Sequence, residues 1–253
     1  MRLKIKHFVA FLTLVFVFAC QDAAHNAKIE GRQIEIGTSI RPSDSVDSFV
    51  SPYRKRIDAV LDSVLAYSPA TISKSDGPYN SSAGNLLADI VLAEAQPIFR
   101  SRTGESIDFV LLNHGGIRSI ISKGPVTARS AYEVMPFENS IVVAQLNGET
   151  VKKLVLYLRD YGRPHPISGL QVILDQENKI QSIRIQGRPL DNDRSYNVAT
   201  SDYLLNGGDN MVFFKDAEHS TLIDYKVRNA MIDYFKKVDT IAPVVDDRFY
   251  KLE

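Results

Sequence analysis

The chain has one cysteine, no tryptophan and only five histidines among its 253 residues. A lone cysteine excludes an internal disulfide, so a folded body must rest on its hydrophobic core. There is no excess charge of either sign, with 30 lysines and arginines against 30 aspartates and glutamates. No basic stripe appears, which argues against a nucleic-acid polymer as partner, because such binding rests on phosphate neutralisation. Beyond residue 19 no apolar run is long enough for a spanning helix. Gly-x-Ser-x-Gly, a P-loop and a dinucleotide fingerprint are all missing, which removes three common catalytic frames.

What is present begins at the N-terminus. Arg2, Lys4 and Lys6 form a basic region, and residues 8–19 are apolar but too short and wrongly flanked to span a bilayer. Val17-Phe18-Ala19-Cys20 resembles a bacterial lipobox. The expectation is a signal peptide over residues 1–19, lipid on Cys20, a polar tether over 20–28 and one domain over 29–253. That places the protein in the bacterial envelope, held to a membrane on its periplasmic or cell-surface side.

The domain reads as mixed helix and strand without the regular alternation of a doubly wound fold, hence α+β. Patchy alternation over 29–39 suggests a first strand, and the Ser/Asp/Pro-rich 41–50 a loop. From Pro52, Ile57, Val60, Leu61, Val64 and Leu65 recur at helical spacing. A short strand is expected at 70–74. Ser82 is placed as N-cap of a helix ending near Pro97. Residues 108–112 read as a buried central strand and 127–135 as a short helix stopped by Pro136. A strand over 140–146 leads to Asn147, the cap of an amphipathic helix. Strands follow at 169–174, 180–186 and 196–200, then a helix over 221–238 and a closing strand over 247–252.

Two glycine turns follow strands: Asn113-His114-Gly115-Gly116-Ile117-Arg118 and Asn206-Gly207-Gly208-Asp209. Paired glycines let the chain turn sharply and let a ligand approach the main-chain N–H groups. Arg118 beside such a turn offers a fork for phosphate or carboxylate oxygens. Asp209 offers an acceptor for sugar hydroxyls, and Tyr203 a flat face.

Gly84-Asn85-Leu86-Leu87-Ala88-Asp89, the Asn113–Arg118 turn, Gly124-Pro125-Val126-Thr127, Tyr132-Glu133-Val134-Met135-Pro136-Phe137, Leu146-Asn147-Gly148-Glu149, Ser168-Gly169-Leu170 and the run from Tyr203 to Asp209 occur in an ordered set. In that order and spacing the chain resembles the C-terminal domain of the 5′-nucleotidase family, which includes UDP-sugar hydrolases. The resemblance implies that domain's mixed α+β fold and a nucleoside site. Arg118 would bind the substrate, Tyr203 would stack on the base and Asp209 would hold the ribose hydroxyls. Asn113, Gly115, Gly116, Asn206, Gly207 and Gly208 would shape the two turns. The family's second base-stacking ring lies just upstream of the Ser-Gly-Leu strand, where this chain offers His165.

In that family, hydrolysis belongs to a separate metallophosphoesterase domain with two metal ions. Past Cys20 the histidines are His25, His114, His165 and His219, with no Asp-x-His and no Gly-His-x-His pattern, a poor supply for a paired-metal site. No catalytic residue, metal ligand or cofactor is therefore expected in this chain. The expected function is the nucleotide-binding half of a split 5′-nucleotidase-type hydrolase, with divalent metals on a partner metallophosphoesterase. The alternative is a non-catalytic binding or scaffold lipoprotein that retains the fold.

Overall fold

The computed structural model describes residues 5, 7–9, 30–37 and 40–253. The expected signal peptide, Cys20 and the tether fall almost wholly outside the described residues. The chain divides into two compact units, Met1–Val50 and Ser51–Glu253. In the first, residues 30–37 carry no regular structure, so the expected strand is absent there. Helix α1, Asp44–Leu61, begins in that unit, within a stretch expected to be a loop. Asp44 and Asp47 in its first turn complement the positive end of the helix dipole.

The second unit continues with β1 (Val64–Ser68), α2 (Ser82–Thr103), β2 (Phe109–Leu111), β3 (Gly124–Thr127), α3 (Ala128–Val134), β4 (Ser140–Asn147) and α4 (Gly148–Tyr161). Then come β5 (Ile167–Ser168), β6 (Leu170–Leu174), β7 (Ile180–Ile185), β8 (Arg188–Pro189), β9 (Ser195–Ser201), α5 (Asp202–Leu205), β10 (His219–Lys226), α6 (Val227–Lys237) and β11 (Phe249–Lys251). The fold is mixed α/β, as the sequence implies.

Caps set several boundaries. The Ser81 hydroxyl, not that of Ser82, accepts from the Gly84 amide at the start of α2. Ser82 lies one position inside and bonds Ser73 and Asp76 instead. The helix runs on through Pro97 because Phe99 is buried in the core beyond it, and it ends on left-handed Gly104. Thr127 and Ser130 form a reciprocal capping box on α3. Asn147 caps α4, accepting from the Thr150 amide at 2.9 Å. The expected strand at 70–74 reduces to one bridge between Ile72 and Ile121.

The stretch expected as one helix over 221–238 is strand up to Lys226 and helix only from Val227. Residues 219–226 pair with β4, and Thr221, Ile223 and Tyr225 are residue types that favour a strand.

A five-stranded sheet, ordered β10-β4-β9-β2-β5, organises this unit. Strand β2 is buried as expected, but the middle position belongs to β9. Both faces of the sheet are covered. Val110, Ile141, Val143, Ala199 and Ile223 pack with α2 and α6. Phe109, Leu111, Ala144, Leu146 and Val198 pack with α4 and with a second sheet, ordered β11-β6-β7-β8. Strands β2 and β9 run parallel, with Phe109 opposite Val198, so their C-terminal ends emerge at one edge of the layer. Strand β4 runs antiparallel to β9, with Ile141 opposite Ser201, so the chain entering β4 arrives at that same edge.

Candidate functional site

Three segments meet there. Residues 113–118 leave β2, residues 202–210 leave β9, and residues 136–139 enter β4. They enclose a cavity of about 260 Å³ lined by Asn113, Gly115, Gly116, Arg118, Phe137, Asn139, Tyr203 and Asp209. The two glycine turns, with Gly115 and Gly207 lying 92 positions apart in the chain, thus converge because β2 and β9 are parallel neighbours.

Asp209 is the hub. One carboxylate oxygen accepts from the Asn113 amide at 2.6 Å, the other from the Tyr203 hydroxyl at 2.8 Å. The Tyr203 oxygen in turn accepts from the Asp209 backbone N–H at 3.2 Å. The hydrogen bond to the carboxylate raises the pKa of the Tyr203 phenol. Below, the Tyr157 hydroxyl donates to the Asp209 carbonyl at 2.7 Å. Burial, first of all, pushes its pKa upward. Asp209 itself is left-handed at φ 50° and Asn210 at φ 60°, an uncommon conformation for non-glycine residues that the bonds described brace at Asp209.

The glycines have separate uses. A Cβ on Gly208 would lie 2.4 Å from the Tyr203 ring, so only glycine lets that ring lie against the turn. Gly207 supplies a left-handed step at φ 85°. Gly115 and Gly116 face the cavity beside Asp209 and Asn113. Asn206 stays outside, donating to the Asp202 carbonyl at 2.8 Å, and with Gly207 and Gly208 shapes the turn without lining the cavity.

Arg118 is exposed, anchored by its backbone N–H to the Val134 carbonyl at 2.9 Å. Its guanidinium donates to the Gly115 carbonyl at 3.3 Å and sits 5.8 Å from the centre of the Phe137 ring. Behind the turn, Lys74 donates to the Ile117 carbonyl at 2.6 Å. Burial, then the neighbouring Arg118 and Arg163, lower the Lys74 pKa.

His165 does not stand where a ligand-facing ring was expected. It is 3% exposed and absent from the cavity lining. Its Nδ1 accepts from the His114 backbone N–H at 3.2 Å, and Tyr157 and Tyr161 pack on it with ring centres 5.6 and 4.7 Å away. A ring so enclosed has no face to offer a ligand. The aromatic wall that shares the cavity with Tyr203 is Phe137, 40% exposed, which sequence reasoning passed over as a site residue. Its signal was an aromatic directly after the helix-stopping Pro136. Asn139 gave no sequence signal.

Two exposed rings, a carboxylate tied to an amide, and a guanidinium suit a flat ligand with hydroxyls and an anionic end. Among the described residues, no three His, Cys, Asp or Glu come together in a group fit for a metal ion. The donor set here does not suit the two-metal chemistry of phosphoester hydrolysis.

Comparison with solved structures places the fold in a class. A 5′-nucleotidase precursor from Thermus thermophilus superposes with a TM-score of 0.68 at 24% identity, over 83% of this chain and 44% of that one. Residues 65–216, more than half of the chain, match the family described as 5′-nucleotidase, C-terminal domain, and the chain belongs to that family. Among curated relatives, a cell wall protein of Listeria monocytogenes is 26% identical over 225 residues, covering 82% of this chain and 29% of the relative. A trifunctional nucleotide phosphoesterase of Bacillus subtilis is 28% identical over 180 residues, covering 65% and 12%. The chain thus spans less than a third of the length of these relatives.

Proposed function

We propose that this chain is the nucleoside-holding part of a 5′-nucleotidase-type phosphohydrolase. The single observation that carries this reading is the meeting of Arg118, Phe137, Tyr203 and Asp209 on one cavity. In it, a base lies against Phe137 and Tyr203, ribose hydroxyls donate to Asp209, and Arg118 meets the phosphate end. Relatives named as nucleotide phosphoesterases and 5′-nucleotidases support a nucleotide as ligand. The divalent metals and the hydrolytic step come, in this reading, from a metallophosphoesterase on another chain.

The site is an envelope one, with lipid on Cys20 tethering it to a membrane. A relative named as a cell wall protein supports this placement.

Calorimetric titration of residues 21–253 with adenosine and AMP tests the binding half. Saturable binding lost in an Arg118→Ala, Asp209→Ala double variant is the expected result. No heat at millimolar ligand would overturn it and favour the scaffold alternative.

A further inference from the structure

Phe137 is carried by a segment, residues 135–139, that belongs to neither helix nor strand. Something outside it must fix its ring against the cavity, since an exposed loop otherwise samples many conformations. The first turn of α6 lies on that segment. The Arg228 guanidinium, on a side chain from a residue only 4% exposed, reaches three successive carbonyls through one nitrogen: Met135 at 3.5 Å, Pro136 at 3.1 Å and Phe137 at 3.3 Å. Its other terminal nitrogen pairs with the Glu138 carboxylate. Its planar head lies 4.1 Å from the centre of the Tyr132 ring.

Neighbouring groups complete the grip. The Val227 amide donates to the Asn139 carbonyl at 3.0 Å, and Lys226 donates to the Glu138 carbonyl at 2.7 Å. Every residue from 135 to 139 is therefore held by residues 226–228. The arrangement goes against local stability. A cation in the first turn of a helix opposes the dipole, and the buried Arg228 Nε has no hydrogen-bond partner. Local rules broken at such a point mark a functional demand.

We propose that Arg228 is a positioning residue of the nucleoside site, holding Phe137 against the cavity by gripping the backbone that carries it. The inference rests on the functional reading above for its ligand, and on geometry alone for its mechanism. Lysine cannot replace it, because a point charge lacks the planar fork that spans several carbonyls.

The chain has no tryptophan, so Phe137→Trp supplies a sole reporter. In the ligand-free, detergent-solubilised full-length chain, adding Arg228→Met should lower the anisotropy of that tryptophan and quicken its quenching by acrylamide. Arg228→Lys should recover only part of the change. An unchanged reporter in a variant that still melts cooperatively overturns the inference.

Adenosine titration gives the second readout. Arg228→Met should weaken binding about tenfold, roughly 1.4 kcal/mol, and have no further effect once Phe137→Ala is present. An equal loss in both backgrounds also overturns the inference, since Arg228 would then act independently of the ring. Should the wild-type chain bind no adenosine, the functional reading falls and the tryptophan reporter alone decides the positioning role. Should Arg228→Met fail to fold, Glu138→Gln takes its place with a smaller change in the same direction, and no change there overturns the inference.

Discussion

Acid should loosen this protein through His165 as the pH falls from about 6.5 toward 4. The His165 Nδ1 accepts from the His114 backbone N–H, so the neutral ring carries its proton on Nε2. That Nε2 is buried without a hydrogen-bond partner. Protonating Nδ1 would set one N–H against another in an enclosed site. Burial accordingly lowers the pKa of the ring to about 4 from 6.5, against a smaller opposing pull from the Leu112 backbone. The unfolded chain therefore takes up this proton first as pH falls. The stabilisation is complete above about pH 6.5, declines as pH drops toward 4, and changes no further below it. A shift of this size corresponds to about 3 kcal/mol, with a limiting slope near 1.4 kcal/mol per pH unit. His114, whose pKa burial also lowers, adds a slope of the same sign.

The assay is urea unfolding of wild type and His165→Asn between pH 4 and 7.5. The amide oxygen of asparagine can still accept from the His114 N–H but does not titrate. The variant should be weaker at neutral pH, because it leaves space beneath Tyr157 and Tyr161, yet show a flatter pH dependence. Parallel slopes for the two proteins would refute the reasoning, as would nitrogen chemical shifts showing the His165 proton on Nδ1.

Tyr203→Ala should weaken adenosine binding by about 1–3 kcal/mol, the usual worth of one stacking ring, with little change in melting temperature; calorimetry decides. Arg118→Ala should cost AMP more affinity than adenosine, by about 1.5–3 kcal/mol for a charge-assisted bond, and equal losses would place the phosphate elsewhere. Gly208→Ala puts a methyl 2.4 Å from the Tyr203 ring, so it should displace the ring and reproduce the Tyr203→Ala binding defect. Asn147→Ala removes the cap of α4 and should cost about 1 kcal/mol in urea unfolding, leaving ligand affinity unchanged.

The cap at Asn147 and the buried run at 108–112 were the most legible part of the sequence, whereas the cap placed at Ser82 belongs to Ser81. Asn147, the short helix stopped by Pro136 and the apolar run at 108–112 each announce an element through local chemistry, and the structure carries an element at each place. Residues 221–226 misled because their fate depends on β4, some 80 positions upstream. Pro97 misled because the tertiary packing of Phe99 outweighs the local cost of an interior proline. In the site, the ordered glycine motifs pointed to Arg118, Tyr203 and Asp209, which the fold gathers around one cavity. Phe137 went unnoticed because its role depends on which residues stand opposite it, and His165 was assigned a face that burial removes. Arg228 left no trace in any motif, since three of its hydrogen bonds go to backbone carbonyls, which carry no side-chain signature.

The parallel pairing of β2 with β9 carries a further consequence for how the protein is made. The cavity does not exist until strands from opposite halves of the chain have docked side by side, with β4 beside them. Such long-range pairings are slow to form, because loop closure is unfavourable until the contacts that reward it are in place. A nascent or partly assembled chain therefore has no pocket, and a ligand bound there stabilises only the finished sheet. Ligand occupancy would thus report completed folding, and a chain nicked anywhere between residues 112 and 195 would bind only if its two pieces remained paired.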